Sequence, residues 1–311
     1  MTGASTADRG LLIAIPTYRR AALLPPLIDA IRTEAEGVRA RILVVDNDPE
    51  ASARETAASA GVEYLGEPTP GIAAVRQAAL DAASDDELTV MIDDDVFPEP
   101  GWLQGLVTVW RDTGAAVVMG FVRYVWPEGT DPWIAAGGFM RRTRFPNGKR
   151  LDSLATGNVL IDTRQVRALG VRFDLSLGLV GGEDNVFGRT VVSRGGVIVA
   201  SADSVVRDDI AVERTTREFV RRRAISHGQA RVRLLTREGS PLLRPLLHAV
   251  HLVGGAVRWL AFCAGRTAST LRGDVAAHAV FQRRMWFAQG RMLAAIGIVT
   301  PEYARTSRNG D

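Results

Sequence analysis

The sequence predicts an α/β protein with a parallel, doubly wound sheet flanked by helices and followed by a helical C-terminal region. Two observations support this prediction. Short apolar runs alternate with helical stretches through the first 210 residues, which is the pattern of a largely parallel sheet. After about residue 212 only helical stretches follow. A chain of 311 residues is long enough for one large α/β domain and a helical extension.

The strand predictions rest on apolar runs that lack polar alternation, as expected for strands buried on both faces. The runs are LLIAI, RILVVD, VEYLGE, LTVMI, AAVVMGFVRY and GNVLID, with VIVA and SVVRD as two late strands. We therefore expect a domain over residues 1–211, with one half at about 10–126 and another at 127–211, and a basic helical region over 212–311.

The net charge of +3 conceals an asymmetry. Residues 211–311 carry 17 Lys and Arg against 6 Asp and Glu, a balance of +11, whereas residues 1–210 carry 21 against 29, a balance of −8. A basic region of this kind suits an anionic membrane surface, a phosphorylated substrate or nucleic acid. The single cysteine, Cys263, excludes a disulfide framework and a cysteine zinc site.

Membrane and export signals are weak. The first apolar run is five residues long, so we expect no signal peptide and a cytoplasmic protein. An uncharged stretch over 245–257 is interrupted by Arg258 and falls short of the about 20 residues that a spanning helix needs. It predicts either an amphipathic helix at a membrane surface or a helix packed on the protein.

Polar residues follow three predicted strands, at the sheet edge where ligands bind in this kind of fold. They form the segments PTYR (16–19), DND (46–48) and DDD (93–95). Neither a glycine-rich dinucleotide motif nor a P-loop is present. Adjacent carboxylates of this kind select a hard divalent cation such as Mg²⁺ or Mn²⁺. The alternative is a solvated turn ahead of Pro98 and Pro100.

A nucleotide could be held at this edge without a glycine cradle. Tyr18 could stack on a base, and Asp46 could accept an N–H from the base edge. Arg19 and Arg76 could meet phosphates. The segment GGEDN (181–185) begins a predicted helix, where its acids could cap the helix or supply a general base. His227, in a basic helix, could reach the metal or lie on a solvated face.

The motifs IPTYRR, VVDND, PGIAAVRQAAL, IDDDVFPEPGWL and GGEDN together resemble those of the inverting family-2 glycosyltransferases with a GT-A fold, especially the bacterial succinoglycan-type glucosyltransferases. The resemblance covers roughly residues 10–210. It implies a mixed, mostly parallel Rossmann-like sheet, with nucleotide binding at 10–126 and acceptor binding at 127–211. It also implies transfer from a nucleotide sugar, UDP being favoured, with Mn²⁺ or Mg²⁺.

The resemblance also implies roles for individual residues. Asp184 is the expected base, with Glu183 second, and Asp95 is the expected direct metal ligand beside Asp93. His227 is added as a metal ligand from its place in the basic helix and not from the resemblance. The nucleotide and donor contacts that it implies are Pro16, Thr17, Tyr18, Asp46, Arg76 and Asp93, to which Arg19 and Asp94 are added from their place at the strand ends. The contacts to the donor sugar or acceptor that it implies are Gly157 and Asn158, to which Trp133 is added from the segment after residue 127.

The reaction that the resemblance implies is a single in-line displacement. The Q-x-x-R-W motif of processive members is absent, which favours one sugar per event. The acceptor could be a sugar, a lipid-linked molecule or a small molecule, with peripheral membrane contact and homo-oligomer formation left open. Two alternatives are a sugar-1-phosphate nucleotidyltransferase and a non-catalytic scaffold or nucleic-acid binder that acts through the basic region. No nucleic-acid partner is expected for a glycosyltransferase.

Overall fold

A computed structural model describes residues 9–179, 181–238 and 241–298. Its contacts divide the described chain into two compact units. The first unit comprises residues 9–123, 142–179 and 183–208. The second comprises residues 124–141 and 181–182 and the described residues from 209 onwards.

Nine strands form one mixed sheet with the order β3-β2-β1-β4-β8-β6-β9-β5, and β7 pairs with β9. The strands are β1 (Gly10–Thr17), β2 (Ala40–Asp46), β3 (Glu63–Gly66), β4 (Glu87–Ile92), β5 (Val96–Pro98), β6 (Val117–Val125), β7 (Arg150–Leu151), β8 (Asn158–Asp162) and β9 (Ile198–Asp209). Pairing is parallel across β3, β2, β1 and β4, and it becomes antiparallel where β8 joins β4.

The described residues contain ten α-helices. They are α1 (Leu24–Glu34), α2 (Arg54–Ser59), α3 (Ile72–Ala82), α4 (Trp102–Thr113), α5 (Pro132–Ala136), α6 (Thr163–Ala168), α7 (Glu183–Ser193), α8 (Arg217–Glu238), α9 (Arg244–Leu271) and α10 (Val275–Ala295). In the first unit, α1, α2 and α4 pack on one face of the sheet and α3, α6 and α7 on the other. All eight residues of β1 are buried, which explains its uniformly apolar sequence.

The register of the parallel strands sets up the functional edge of the first unit. Thr17, the last residue of β1, lies opposite Asp46, the last residue of β2. On the other side of β1, β4 runs parallel and ends at Ile92, directly before the aspartate triplet. The antiparallel β8 begins where β4 ends, since Ile92 pairs with Asn158. Three strand ends and one strand start therefore meet at one edge.

The predicted fold class is confirmed, with two local differences. The two late strands predicted from VIVA and SVVRD form one continuous strand, β9. The stretch AALLPPLIDAIRTEA, one of the helical stretches that alternate with the apolar runs, starts at residue 21 but is α-helical only from Leu24, after a short 3-10 turn, and its two prolines occupy the first turn. Proline is tolerated there because the N–H groups of the first turn have no partner within the helix.

The second unit is mostly helical. Trp133, Phe139 and Trp286 form an aromatic cluster with ring centroids 5.5–6.0 Å apart, where α5 meets α10. Helix α8 packs closely on α10, because Gly228 and Gly290 leave room for the opposing backbones. Among the described residues, α9 is the one helix that is long and apolar enough to cross a membrane, judged by length and composition alone.

Candidate active site

The ends of β1 and β4 are joined by a buried hydrogen bond. Thr17 donates through Oγ1 to Oδ2 of Asp94 at 2.8 Å. Arg20 donates through Nη1 to the other oxygen, Oδ1, at 2.9 Å. Burial raises the pKa of Asp94 to about 6, against the opposing effects of Arg20 and Thr17. The middle aspartate of the triplet is therefore an internal group that fixes the loop after β4.

Arg20 is a residue of this site that the sequence interpretation did not single out. The same Nη1 atom lies 3.0 Å from Oδ2 of Asp95, so one guanidinium links two of the three aspartates. The neighbouring Arg19 instead contacts Asp48 at 3.3 Å and the exposed Glu50. Both arginines lie beyond the end of β1, and Arg19 adopts a positive φ of 55°, so the alternation of a strand could not have separated them.

Arg76, on α3, connects the first aspartate of the triplet to the start of α7. Its Nη2 atom lies 3.2 Å from Oδ1 of Asp93, and its Nη1 atom donates to Oε1 of Glu183. Arg76 and Glu183 are both buried, whereas the side chain of Asp93 is 35% exposed. The structure therefore brings Asp93, Arg76 and Glu183 into one network, although they come from distant parts of the sequence.

The two acids of the GGEDN segment have different environments. Burial raises the pKa of Glu183 to about 7, while the Arg76 guanidinium acts in the opposite direction and the negative charges of Asp184 and Asp93 act with burial. Asp184 is only partly buried, and its Oδ1 accepts the backbone N–H of Asn185 at 2.7 Å. Of the two predicted acids, Asp184 is the one whose side chain is not enclosed.

The donor set can be compared with the needs of a divalent cation. The side chains of Asp93 and Asp95 are 35% and 26% exposed, respectively, whereas Asp94 is internal. No group of three or more His, Cys, Asp or Glu among the described residues is arranged to hold a metal by itself. Two carboxylates do fit Mg²⁺ or Mn²⁺ when phosphate oxygens of a substrate complete the coordination.

His227 lies on α8 in the second unit, with an exposed side chain. Its role as a metal ligand stays a prediction. Trp133 lies on α5 in the same unit, where its Nε1 donates to Nδ1 of His278 at 2.7 Å. The guanidinium of Arg217 lies 4.8 Å from the Trp133 ring centroid. Contact between Trp133 and a sugar also stays a prediction.

Asp46, predicted to meet the nucleotide base, is fully buried. Its Oδ1 accepts the N–H of Asp48 and its Oδ2 the N–H of Ala53, both at 2.9 Å. The phenol of Tyr64 lies 3.3 Å from the same Oδ2. These bonds order the loop after β2. The contacts thus give Asp46 a structural role, and base recognition by its side chain stays a prediction.

Gly157 and Asn158 support the site from β8. A Cβ atom at Gly157 would lie 2.6 Å from Oδ2 of Asp93, so only glycine leaves room for that carboxylate. The buried amide of Asn158 accepts from Nε1 of Trp102 at 2.8 Å and donates to the carbonyls of Phe121 and Ser204. The Asn158 side chain thus braces the sheet, and its contact with a sugar stays a prediction.

Comparison with solved structures defines the class of fold. The mannosyltransferase PcManGT from Pyrobaculum calidifontis, solved with GDP-Man and Mn²⁺, matches with a TM-score of 0.59 and 18% identity over 94% of this chain and 87% of that one. S. aureus TarS 1-349, solved with UDP-GlcNAc, matches with a TM-score of 0.50 and 13% identity over 90% and 92%. Both support the predicted GT-A fold.

Sequence comparison gives the family. Residues 12–168 match the family model described as Glycosyl transferase family 2. The chain is 32% identical over 241 residues to the succinoglycan biosynthesis protein ExoM of Rhizobium meliloti (strain 1021), an alignment that covers 74% of this chain and 76% of the relative. The chain belongs to glycosyl transferase family 2, and it is a glycosyltransferase.

Proposed function

We propose that this glycosyltransferase moves one sugar from a nucleoside diphosphate sugar to an acceptor hydroxyl, with inversion at the anomeric carbon. The observation that carries the proposal is that Arg76 contacts both Asp93 and Glu183, so that Glu183 is enclosed and Asp184 is the accessible acid. The ligands named for two structures of similar fold, GDP-Man and UDP-GlcNAc, support a nucleotide-sugar donor. A UDP-sugar is the favoured donor.

Asp184 acts as the general base in this proposal. Its carboxylate takes the proton of the acceptor hydroxyl while the hydroxyl oxygen forms a bond to the anomeric carbon. On the opposite face, the bond between that carbon and the diphosphate oxygen breaks, and the nucleoside diphosphate leaves with the electron pair. Glu183 is a positioning residue, because its ion pair with Arg76 fixes the first turn of α7, which carries Asp184.

Asp93 and Asp95 would hold a divalent cation, Mn²⁺ or Mg²⁺, next to the donor diphosphate. When bound, it supplies positive charge next to the leaving diphosphate. Arg76 holds Asp93 from the protein side, and Arg20 holds Asp95. Two structures of similar fold were solved with Mn²⁺, which supports the choice of cation class.

The nucleoside is placed next to the ends of β1 and β2. Pro16, Thr17 and Tyr18 flank it, and Tyr18, which is partly exposed, offers a ring for stacking. Gly157 lets the donor sugar approach Asp93, and Trp133 is assigned to the sugar or acceptor. The acceptor is a sugar, a lipid-linked molecule or a small molecule, reached from the cytoplasm, and one sugar is added per event.

A panel of sugar nucleotides with and without Mn²⁺ tests the donor class, with thermal shift reporting binding and released nucleoside diphosphate reporting turnover. Stabilisation by at least one UDP-, GDP- or dTDP-sugar, strengthened by Mn²⁺, is expected. If no sugar nucleotide binds or turns over, the proposed donor class is wrong. If binding and turnover are unchanged by chelation, the metal assignment is wrong.

Asp184→Asn tests the base. The amide keeps the size of the side chain but cannot take a proton, so turnover should fall by about 10²–10⁴-fold while donor affinity is retained. Asp112→Asn, at an exposed position on α4, is the matched control and should behave as the parent. Normal turnover by Asp184→Asn would show that another group is the base, and Glu183→Gln would then be examined in the same assay.

A further inference from the structure

Helix α9 exposes an apolar face. Leu246, Val250, Val253, Val257 and Leu260 follow one another at spacings of four and three, and each is 55–64% exposed. This spacing places all five side chains on one stripe of a helix. A helix on the surface of a soluble protein normally buries such a stripe. Here the stripe faces outward within the second unit.

The opposite face of α9 is the one that packs on α10. His248 lies 2.9 Å from the carbonyl of Ala295, and His251 lies 2.8 Å from a guanidinium nitrogen of Arg291. Further along, the ring of Phe262 lies 6.5 Å from that of Phe281, centroid to centroid. The residue numbers of these contacts increase along α9 and decrease along α10, so the two helices are antiparallel neighbours. The polar contacts lie inside the pair, and the apolar stripe lies outside it.

The charge of this region indicates what covers the stripe. Residues 211–311 carry a balance of +11, and Arg244 and Arg258 are exposed on α9 itself. A second copy of the chain would bring an equally basic region against this one, which opposes association. Anionic phospholipid head groups are complementary to it, and each Lys or Arg near such a surface adds to the attraction.

We propose that α9 is a membrane-surface helix that lies in the plane of an anionic leaflet, with the Leu246–Leu260 stripe inserted among the acyl chains. An apolar face combined with basic residues is the pattern of helices that bind in this way. The partner is a lipid surface that contains anionic head groups. This binding does not depend on the donor or the base proposed above.

The neighbouring helix argues for an in-plane position and against a spanning one. Helix α10 packs along α9 and carries Arg283, Arg284 and Arg291. If α9 crossed the bilayer in this arrangement, these guanidinium groups would be carried to the depth of the hydrocarbon, where a charged side chain is strongly unfavourable. When α9 lies flat, α10 stays on the water side and its arginines remain hydrated.

Vesicle flotation of the full chain tests the partner. We expect flotation with phosphatidylcholine vesicles that contain phosphatidylglycerol, and much less with phosphatidylcholine alone. The double variant Val253→Gln/Val257→Gln should bind the anionic vesicles at least about tenfold more weakly, because two inserted side chains become polar. Val212→Gln changes an equally exposed valine outside α9 and should bind as the parent.

Two outcomes would overturn the proposal. One is equal flotation of the parent and the double variant. The other is that the parent forms a dimer without lipid, as measured by light scattering, and does not bind vesicles, whereas the double variant is monomeric. That result would assign the stripe to a second copy. The double variant should unfold at the same denaturant concentration as the parent and retain transfer to a soluble acceptor, which separates this test from the proposed activity.

Depth measurement distinguishes the two membrane orientations. Nitroxide labels are placed at Leu246→Cys and at Leu260→Cys, each in a Cys263→Ser background that removes the native thiol. The two positions are about 21 Å apart along the helix axis. An in-plane helix gives both labels the same shallow depth. Depths that differ by a large part of the axial separation would show a spanning helix and overturn the proposal.

Discussion

Arg76 and Glu183 form a buried ion pair that joins α3 to the first turn of α7. The same guanidinium lies 3.2 Å from Asp93. One positive charge therefore faces two carboxylates, one enclosed and one partly exposed. Because Asp184 follows Glu183 directly in the chain, the geometry of the proposed base depends on this buried pair.

Arg76→Gln should destabilise the fold strongly. It leaves Glu183 buried without a counter-charge, and breaking a buried pair in this way costs about 3–5 kcal/mol of unfolding free energy. Urea denaturation measures the loss. Arg172→Gln, which breaks the exposed Arg172–Asp81 pair, is the control and should cost about 0–1 kcal/mol. Adding Glu183→Gln to Arg76→Gln should recover part of the loss, and strict additivity would contradict the pairing.

Asp46→Asn should lower stability even without a nucleotide. The buried carboxylate accepts two backbone N–H groups, and an amide can keep only one acceptor oxygen, so a loss of about 1–3 kcal/mol is expected in denaturant unfolding. Asp29→Asn, at an exposed position on α1, should be neutral. Unchanged stability with a raised donor KM would instead support direct base recognition by Asp46.

Glu87 should contribute to stability in a pH-dependent way. Hydrogen bonds from Arg41 lower its pKa from 4.5 to about 2, although burial opposes this shift. Because the pKa is lowered in the folded protein, the contribution of ionised Glu87 to the free energy of unfolding is complete above about pH 4.5 and is lost as the pH falls towards 2. Glu87→Gln should cost about 1–2 kcal/mol at neutral pH, discounted for the partial exposure of the pair.

The difference between Glu87→Gln and the parent should shrink in acid. Unfolding free energies of the parent and of Glu87→Gln, measured at several pH values below 5, give this difference as a function of pH. Asp86→Asn changes the neighbouring acid, whose contact with Arg164 is long, 3.5 Å, and highly exposed, so it should show no such trend. A difference that stays constant down to pH 2 would contradict the assigned pair.

Gly290→Ala should destabilise the second unit. A Cβ atom there would lie 2.1 Å from the carbonyl oxygen of Ile225 on α8, and relieving such overpacking typically costs about 1–3 kcal/mol. Gly254→Ala, on α9, is the matched control, since its Cβ would meet only the end of the Arg258 side chain at 3.0 Å. Higher helix propensity should make that variant neutral or more stable, by up to about 1 kcal/mol. Thermal unfolding of both variants checks the contrast.

The sequence predicts the sheet well where strands are continuously apolar. The runs that became β1, β2, β4 and β8 are buried along most of their length, so tertiary packing and local pattern favour the same state. The direction and neighbours of β8 could not be predicted in this way, because an apolar run carries no information about whether its partner is parallel. The single strand β9 was divided at Ala202 and Asp203, where polar and small residues interrupt the pattern.

The sequence predicted which strand ends form the site. It did not predict the hydrogen bonds and ion pairs that connect the side chains there. The carboxyl ends of parallel strands share an edge, which places Thr17, Asp46 and the triplet together from topology alone. The pairing of Arg20 with two aspartates depends on the turn after β1, where Arg19 adopts a positive φ of 55°. No residue pattern specifies that turn. The enclosure of Glu183 depends likewise on packing between α3 and α7.

The insertion of β8 beside β4 has a consequence for biosynthesis. During translation, β4 emerges with β1 on one side and with its other edge open, because the strand that covers this edge is encoded about 70 residues later, or about 4–14 s at typical elongation rates. An open apolar edge is a template for wrong pairing between chains. The nascent enzyme should therefore depend on ribosome-associated chaperones over this interval, and slow translation between β4 and β8 should lower its soluble yield.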